Sequence, residues 1–320
     1  MMRMIFLRLI ASVPVLIGVS VFTFLLVRLV PGDVVDALAS EEFDDPRAQA
    51  ELRRLFGLDQ PFHVQFVTWF AALVQGDLGY SYRTRRPVIE EIIDRFPLTL
   101  ELTLAALLIS VLIAIPLGVV SATRRNGVLD TGARLTSLIG LSIPNFWLGI
   151  LLMALFAVGL RWLPSGGSND FAFSWDHFKF LILPAITLGA SLAAETMRMS
   201  RSALLEVLAK DYVRTSRAKG LSERLVIYRH ALRNSLIPVV TVVGIQAGAL
   251  LGGTVVVEQI FSWAGLGSLV IRAINQRDYP LLQGLILFLT FFYIFVSLAV
   301  DIVVRHRRWH QLRQLERPRV

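Results

Sequence analysis

RTSRAKGLSERLVIYRHALRNSLIP, at residues 214–238, is the stretch around which the rest of the chain is organised. It lies in a basic segment, residues 198–235, that contains nine lysines or arginines and three acidic residues. A strongly apolar run lies on each side of this segment. An excess of lysine and arginine beside apolar runs is typical of a cytoplasmic loop that fixes the orientation of a membrane protein.

The same stretch has a second property, which is an apolar helical pattern interrupted by one glycine. Leu221, Leu225, Val226 and Tyr228 place apolar side chains on one side of a helix, and Gly220 interrupts the pattern. This arrangement predicts a helix, a sharp turn and a short amphipathic helix. Two interpretations therefore compete: a solvated loop, and a docking helix that binds in the groove of a partner protein on the cytoplasmic side.

The composition is that of a membrane protein. The chain has 320 residues, of which 55% are hydrophobic, a mean hydropathy of +0.62 and a formal net charge of +8. Long apolar runs separated by charged ones exclude an ordinary soluble domain. The arginines are not interleaved with aromatic residues on a soluble fold, so no nucleic-acid partner is predicted. The absence of cysteine excludes disulfides, thiolate metal sites and thiol catalysis.

Six apolar runs predict six transmembrane helices in an all-α polytopic protein embedded in the lipid bilayer. The first run, residues 9–26, follows Arg3 and Arg8 and is too long for the apolar part of a cleaved signal peptide. A shorter run, residues 180–197, carries Glu195 near one end. The other four runs are long enough to cross about 30 Å of hydrocarbon, and they lie at residues 98–120, 135–160, 236–257 and 282–304.

The charge distribution predicts that both termini are cytoplasmic, because lysine and arginine accumulate on that side. Residues 31–97, between the first two helices, hold twelve acidic and seven basic residues and are predicted to form a small extracytoplasmic insertion. The first helix with its N-terminus is residues 1–30, the five-helix transmembrane core with the basic segment is 98–304, and a basic tail is 305–320. The acidic residues crowd the start of the insertion, at Asp33, Asp36, Glu41, Glu42, Asp44 and Asp45.

Few polar side chains lie within the predicted spans. Gln246 is near the middle of the fifth span, where its amide must find a partner or water, and Asn145 follows Pro144 in the third span. Both are candidates for the lining of a passage, and a structural hydrogen bond is an equally good interpretation of Gln246. For Glu195 we predict a local ion pair with Arg198 near the cytoplasmic face.

The sequence contains no motif for catalysis or for nucleotide binding. There is no H-E-x-x-H, no G-x-S-x-G and no phosphate loop G-x-x-x-x-G-K-[ST], and no histidine cluster has metal-ligand spacing. No catalytic residue and no metal site are therefore predicted. Too few ionisable groups lie in the spans for a proton relay, and no internal repeat is evident, which disfavours a self-powered secondary transporter. The sequence therefore favours a transport path that has no energy source of its own. A membrane-embedded hydrolase and a non-transporting scaffold are the alternatives.

Two motifs of the basic segment resemble a known family. DYVRTSRAKGL at residues 211–221, followed by HALRNSLIPVVT at residues 230–241, resembles the cytoplasmic loop of permease subunits of ABC importers for dipeptides, oligopeptides and nickel. In that superfamily the loop reads Glu-Ala-Ala, three residues, Gly, nine residues, then Ile-x-Leu-Pro, and Gly220 stands at the glycine. The peptide-permease version of the loop carries the same substitutions as this chain. Arg214, Thr215 and Ser216 replace Glu-Ala-Ala, while His230, Leu232 and Arg233 stand where Ile, Leu and Pro are found.

Other parts of the chain resemble the same subfamily in order and spacing, so that the resemblance covers nearly the whole chain. It implies a six-helix subunit that forms half of the translocation path for di- or oligopeptides. Nickel chelates, glutathione and sugars are the alternative substrates carried by such permeases. The matching pieces are PGD at 31–33, GLDQPF at 57–62, GDLGYSY at 76–82, FSWAGLGSLV at 261–270 and RDYPLLQG at 277–284.

The resemblance also implies partners and a location. A second, homologous permease subunit would complete the passage, two cytoplasmic ABC ATPases would dock on the basic segments, and an extracytoplasmic solute-binding protein would deliver the solute. ATP and Mg would bind to the ATPases, and this chain would bind no cofactor. The complex would lie in the inner membrane of a prokaryote. The residues assigned to ATPase coupling are Arg214, Thr215, Ser216, Arg217, Ala218, Lys219, Gly220, Leu221, Leu225, His230 and Leu232.

Overall fold

The computed structural model describes residues 2–29, 35, 46–167 and 174–315. Within them the chain is helical, with no strand and one isolated β-bridge between Tyr80 and Pro87. The side chain of Arg3 and those of the tail from residue 306 onward lie outside the described residues. So do the acidic residues at the start of the predicted insertion, which are Asp33, Asp36, Glu41, Glu42, Asp44 and Asp45.

The described part of the chain forms thirteen α-helices and two π-helical turns. The turn Met153–Gly159 follows the helix Asn145–Leu152, and the turn Val226–Ala231 joins Glu223–Leu225 to Leu232–Gly253. In chain order the helices are α1 (Met2–Leu29), α2 (Pro46–Leu55), α3 (Phe62–Val74), α4 (Val88–Thr123), α5 (Val128–Ser142), α6 (Asn145–Leu152), α7 (Trp175–Leu208), α8 (Asp211–Ala218), α9 (Glu223–Leu225), α10 (Leu232–Gly253), α11 (Val255–Ile260), α12 (Leu266–Asn275) and α13 (Tyr279–Leu315).

The number of membrane spans agrees with the predicted fold class. The predicted third span is a bent pair of helices, Val128–Ser142 and Asn145–Gly159, which meet at 100°. If this pair is counted as one span, the total number of spans is six. Five continuous segments of the described residues are also long and apolar enough to cross a membrane, namely Ile5–Leu26, Val88–Thr123, Trp175–Leu208, Glu223–Gly252 and Tyr279–Arg305.

The bend in the third span lies at Pro144. Ile143, the residue before it, is extended, with φ −83° and ψ 120°. A proline ring disfavours the helical conformation of the preceding residue, which is why α5 ends there. Pro184 lies within α7 without ending it. The predicted span of residues 135–160 is therefore not one straight helix.

Residues Met1–Leu98 and Ala264–Ile294 form one compact unit. Asp278 is buried in it and accepts hydrogen bonds from the hydroxyl of Ser81 and from the backbone N–H of Tyr82, the latter at 3.2 Å. These bonds fix the turn before α4 to the start of α13. The core of this unit is apolar and includes Val88, Ile92, Leu266, Leu269, Leu281 and Leu285.

Residues Thr99–Trp263 and Phe295–Val320 form the second compact unit. Two of its spans approach closely at Gly244 of α10, where a Cβ atom would lie 2.2 Å from Cγ2 of Val300 on α13. Small residues allow membrane helices to pack at such short distances. Gly244 therefore serves the packing of spans within this chain.

Candidate functional site

The basic segment begins inside a membrane helix. Because α7 extends to Leu208, residues 198–208 continue the fourth span and do not form a loop. α8, Asp211–Ala218, is a separate short helix, and α9 begins at Glu223 after a turn at Gly220. The predicted order of helix, turn and helix is present.

The second helix of this segment is not the separate short element that the sequence predicted. From Glu223 the chain continues through the π-helical turn Val226–Ala231 into α10 without a break. An isolated helix of eight residues is marginal in water, and continuity with a longer helix avoids a second nucleation step. Arg233, which stands where the superfamily has proline, keeps the backbone N–H that a helix needs. The separate short helix is α8.

Gly220 forms the turn between α8 and α9. Its φ is +79°, in the left-handed region that glycine reaches without strain. Its N–H donates to the carbonyl of Arg217 at 2.9 Å, at the end of α8. A Cβ atom at this position would meet no atom within 4 Å. The requirement for glycine is therefore conformational and not steric.

An ion pair joins the two helices across this turn. Nη2 and Nε of Arg217 donate to Oε1 and Oε2 of Glu223 at 2.6 and 3.1 Å. The hydrogen bond to Glu223 raises the pKa of Arg217 above its usual value. Sequence reasoning missed this pair, because the partners are six residues apart and on different helices, outside the i, i+3 and i, i+4 spacings that signal a helical pair.

A small apolar core holds the basic segment against the membrane helices. Val226, which the sequence pattern placed on the docking face, is fully buried in this core. Leu221 precedes the helix, which begins at Glu223, and the adjacent Leu225 and Val226 do not face the same side of it, so the apolar pattern is divided between core and surface. The core is formed by Val119, Ala122, Leu204, Val207, Val213, Val226 and Ala231.

Most of the predicted coupling residues are exposed. Tyr228 is 60% exposed, and Leu221 and Leu225 are each 36% exposed, so apolar side chains lie among the basic ones. The apolar helical pattern of the sequence marked the same three residues as apolar positions within the basic segment. The exposed coupling residues are Arg214, Thr215, Arg217, Ala218, Lys219, Gly220, Leu221 and Leu225, whereas Ser216, His230 and Leu232 are half-buried.

Gln246 is buried and hydrogen-bonded within the chain. Its Nε2 donates to Oε2 of Glu195 at 3.0 Å, and its Oε1 accepts from Oγ1 of Thr196 at 3.1 Å. Oγ1 of Thr196 also accepts from Oγ of Ser110 at 3.4 Å. The structural hydrogen bond was one of the two interpretations of Gln246, and a role in the passage stays a prediction.

Glu195 does not form the predicted ion pair with Arg198. It accepts the hydrogen bond from Gln246 instead, because the packing of α7 against α10 places an amide donor beside it. Asn145, the other candidate for the passage, is the first residue of α6 and half-buried. Within the described part of the chain its side chain forms no hydrogen bond, and it is not joined to Gln246.

Two further polar contacts join helices of the second unit. Nε2 of His177 lies 2.7 Å from Oε2 of Glu101, and Oγ1 of Thr99 donates to Oε1 of Glu258 at 3.1 Å. Glu258 is fully buried. Over the described ranges, no group of three or more His, Cys, Asp or Glu side chains could hold a metal ion. These contacts link residues more than 70 positions apart, so no local sequence pattern could have found them.

Family comparisons identify the class of protein to which this fold belongs. The model of the binding-protein-dependent transport system inner membrane component matches residues 114–307. A second model, of the N-terminal part of such membrane components, matches residues 1–103. The chain belongs to this family of ABC importer permeases, as the motifs of the basic segment indicated. It is a multi-pass inner-membrane subunit and is not itself catalytic.

Individual relatives cover almost the whole chain. The glutathione transport system permease protein GsiC of Salmonella choleraesuis (strain SC-B67) is 44% identical over 296 residues, which cover 92% of this chain and 94% of the relative. The di/tripeptide transport system permease protein DppB of Pseudomonas aeruginosa (strain UCBPP-PA14) is 43% identical over 324 residues, covering 92% and 96%. A solved structure of the inward-facing MetNI methionine ABC transporter, in its CY5 native crystal form, has a TM-score of 0.57 at 20% identity, with 68% of this chain and 96% of that chain covered. This last likeness shows the fold alone.

Proposed function

We propose that this chain forms half of the translocation passage of an ATP-driven importer for di- or oligopeptides. The observation that carries the proposal is the similarity, over 92% of the chain, to permeases named for di- and tripeptides and for glutathione. Glutathione is a modified tripeptide, so both relatives favour short peptides. It is the second candidate substrate, because a permease named for it is 44% identical to this chain.

The proposed partners follow from the exposed basic surface. Two cytoplasmic ABC ATPases bind to the basic segments of this chain and of a second, homologous permease, and an extracytoplasmic solute-binding protein delivers the peptide. The exposed side chains of Leu221, Leu225 and Tyr228, set among arginines, are the kind of amphipathic surface that fits a groove in another protein. ATP and Mg bind to the ATPases, and this chain binds no cofactor.

The proposed orientation places both termini in the cytoplasm of a prokaryotic cell. The sign of the charges supports it, since the basic segment and the basic tail lie on one side of the predicted spans and the acidic insertion on the other. The relatives named above come from bacteria.

The helical continuity of the basic segment supports a mechanism of coupling. α7 leads into the segment directly, and α9 leads out of it into α10. When ATP draws the two ATPases together, a movement of α8 would pass to both of these spans through two short connections, residues 209–210 and 219–222. The Arg217–Glu223 pair and the buried Val213 hold α8 to the neighbouring helices, so the segment would move as one body.

A tagged copy of this chain, produced in its own organism, tests the proposal. We expect two ATPases and a second permease to co-purify with it, and the reconstituted complex to take up labelled dialanine only with ATP and the solute-binding protein. A variant complex whose ATPases cannot hydrolyse ATP is the control. Purification without ATPases would contradict the permease role, and ATP-dependent uptake restricted to a sugar or a nickel chelate would contradict the peptide substrate. Release of alanine from dialanine without uptake of the dipeptide would favour a membrane hydrolase.

A further inference from the structure

Glu195 lies level with the midpoints of two predicted spans, although it stands near one end of its own apolar run. The hydrogen-bonded chain of Ser110, Thr196 and Gln246 joins α4, α7 and α10 at one level. Ser110 is next to the midpoint of the apolar run 98–120, and Gln246 is next to the midpoint of the run 236–257. Since Gln246 also donates to Glu195, the carboxylate shares this level.

This carboxylate is on an exposed polar stripe of α7. Glu195, Arg198 and Ser202 are all exposed in the single chain, and their spacing of three and four residues places them on one face of the helix. A charged side chain at the centre of a bilayer is strongly disfavoured against lipid, and such residues face a water-filled cavity or another protein. The stripe therefore does not face lipid.

The two charges of the stripe do not neutralise each other. Glu195 accepts one hydrogen bond, from the neutral amide of Gln246. Arg198 forms no ion pair or hydrogen bond with any described residue. A carboxylate can accept several hydrogen bonds and a guanidinium can donate five, so both groups can still bind a ligand. Together they offer one acidic and one basic group on the same face.

We propose that Glu195 and Arg198 line the water-filled passage and bind the ammonium and the carboxylate of a zwitterionic solute. The substrate part of this proposal rests on the proposed function as a peptide permease. Side chains three residues apart on a helix have Cβ atoms about 5–6 Å apart. An extended chain of two residues spans at most about 7 Å. The two flexible side chains can therefore reach both ends of a dipeptide together.

Charged thiol reagents test the passage without a known substrate. Met199 is exposed one turn from Glu195, and Met199→Cys introduces the only cysteine of the chain. In the complete transporter in its own membrane, we expect cationic and anionic methanethiosulfonates to label this cysteine. Glu195→Gln should lower the ratio of cationic to anionic labelling rates by about threefold or more, since one charge about 6 Å away is removed. Arg198→Gln should raise the same ratio.

The control for this experiment is Glu206→Gln, the same substitution on the same helix, which should leave the ratio unchanged. Ser202→Cys can replace Met199→Cys if the latter does not assemble, and the control is then Asp176→Asn at the other end of α7, because Glu206 is only four residues from Ser202. Absence of labelling at both positions, with and without ATP, would show that the stripe is buried against a partner subunit and would overturn the proposal. A ratio that Glu195→Gln does not change would overturn it as well.

Three dipeptides then test the zwitterionic solute. We expect dialanine to slow labelling of Met199→Cys more than N-acetyl-dialanine or dialanine amide does. Glu195→Gln should abolish the preference for a free ammonium, and Arg198→Gln the preference for a free carboxylate. Equal protection by all three compounds would refute the paired recognition while leaving the passage in place. If the transporter takes up no peptide at all, the proposed peptide function fails, whereas the charge-dependent labelling still decides the position of the stripe.

Discussion

Arg201 donates two hydrogen bonds to Asp130, from Nε to Oδ1 at 2.9 Å and from Nη2 to Oδ2 at 3.1 Å. The Asp130 side chain is fully buried, and that of Arg201 is 19% exposed. Asp130 also accepts from the hydroxyl of Ser121 and from the backbone N–H of Asn126. The pair ties the end of α4 and the start of α5 to α7 within the basic segment.

Asp130→Ala is expected to destabilise the chain strongly, because it leaves the largely buried guanidinium of Arg201 without its counter-charge. The midpoint of thermal unfolding of the purified complex should fall by several degrees, and the amount of complex in the membrane should fall with it. The double variant Asp130→Ala, Arg201→Met removes both charges and should recover part of the loss.

The matched control is the exposed pair of Glu206 and Lys210, whose atoms are 3.4 Å apart. Glu206→Ala should leave the unfolding midpoint unchanged, because exposed pairs contribute little to stability. An Asp130→Ala complex as stable as the wild type would show that the buried pair is not a structural tie.

Gly220→Val is expected to impair transport while leaving membrane insertion normal. A β-branched residue at a φ of +79° costs about 1–3 kcal/mol of backbone strain, enough to misplace α8 but not to unfold the spans. Uptake and ATPase binding should both fall in reconstituted complexes. Gly132→Val is the control, because Gly132 also has no atom within 4 Å of a Cβ but lies in a helix without a positive φ. Wild-type uptake by Gly220→Val would remove the role assigned to this turn.

The Arg217–Glu223 pair is expected to matter for coupling more than for stability. Both side chains are largely exposed, so the loss of the pair should cost only about 0.2–1 kcal/mol of unfolding free energy. Arg217→Gln should nevertheless weaken ATPase binding, measured by co-purification, because it frees α8 from α9. The exchanged variant Arg217→Glu, Glu223→Arg should restore binding in part.

Lys179→Gln is the control for this pair, since it removes an exposed ion pair of 2.8 Å with Asp176 at the other end of α7. It should leave ATPase binding unchanged. If Arg217→Gln binds the ATPases as tightly as the wild type does, the pair has no part in coupling.

Topology reporters are expected to place the basic segment and the C-terminus in the cytoplasm. Fusions after Val320 and at Leu221 should give a cytoplasmic signal, and an insertion at Asp59, between α2 and α3, should give an extracytoplasmic one. The reason is the excess of arginine and lysine near the spans of the first two sites. A cytoplasmic signal at Asp59 would exclude the six-span orientation.

The membrane class, the positions of the spans and the turn at Gly220 were predictable from the sequence. Each depends on a local property: the length of an apolar run, the sign of nearby charges, or a residue that tolerates a positive φ. The motif around Gly220 was also enough to identify the family, which the family comparison confirms.

Only the tertiary structure decided how the polar groups are partnered. Gln246 and Glu195 are 51 residues apart, and Arg201 and Asp130 are 71 apart, so their contacts depend on which helices pack together. From the sequence alone, Glu195 was predicted to pair with its helical neighbour Arg198, because a sequence shows only which residues are close along the chain. Packing of α7 against α10 supplied a different partner and left Arg198 exposed, since a side chain binds the nearest group in space and not the nearest one along the chain.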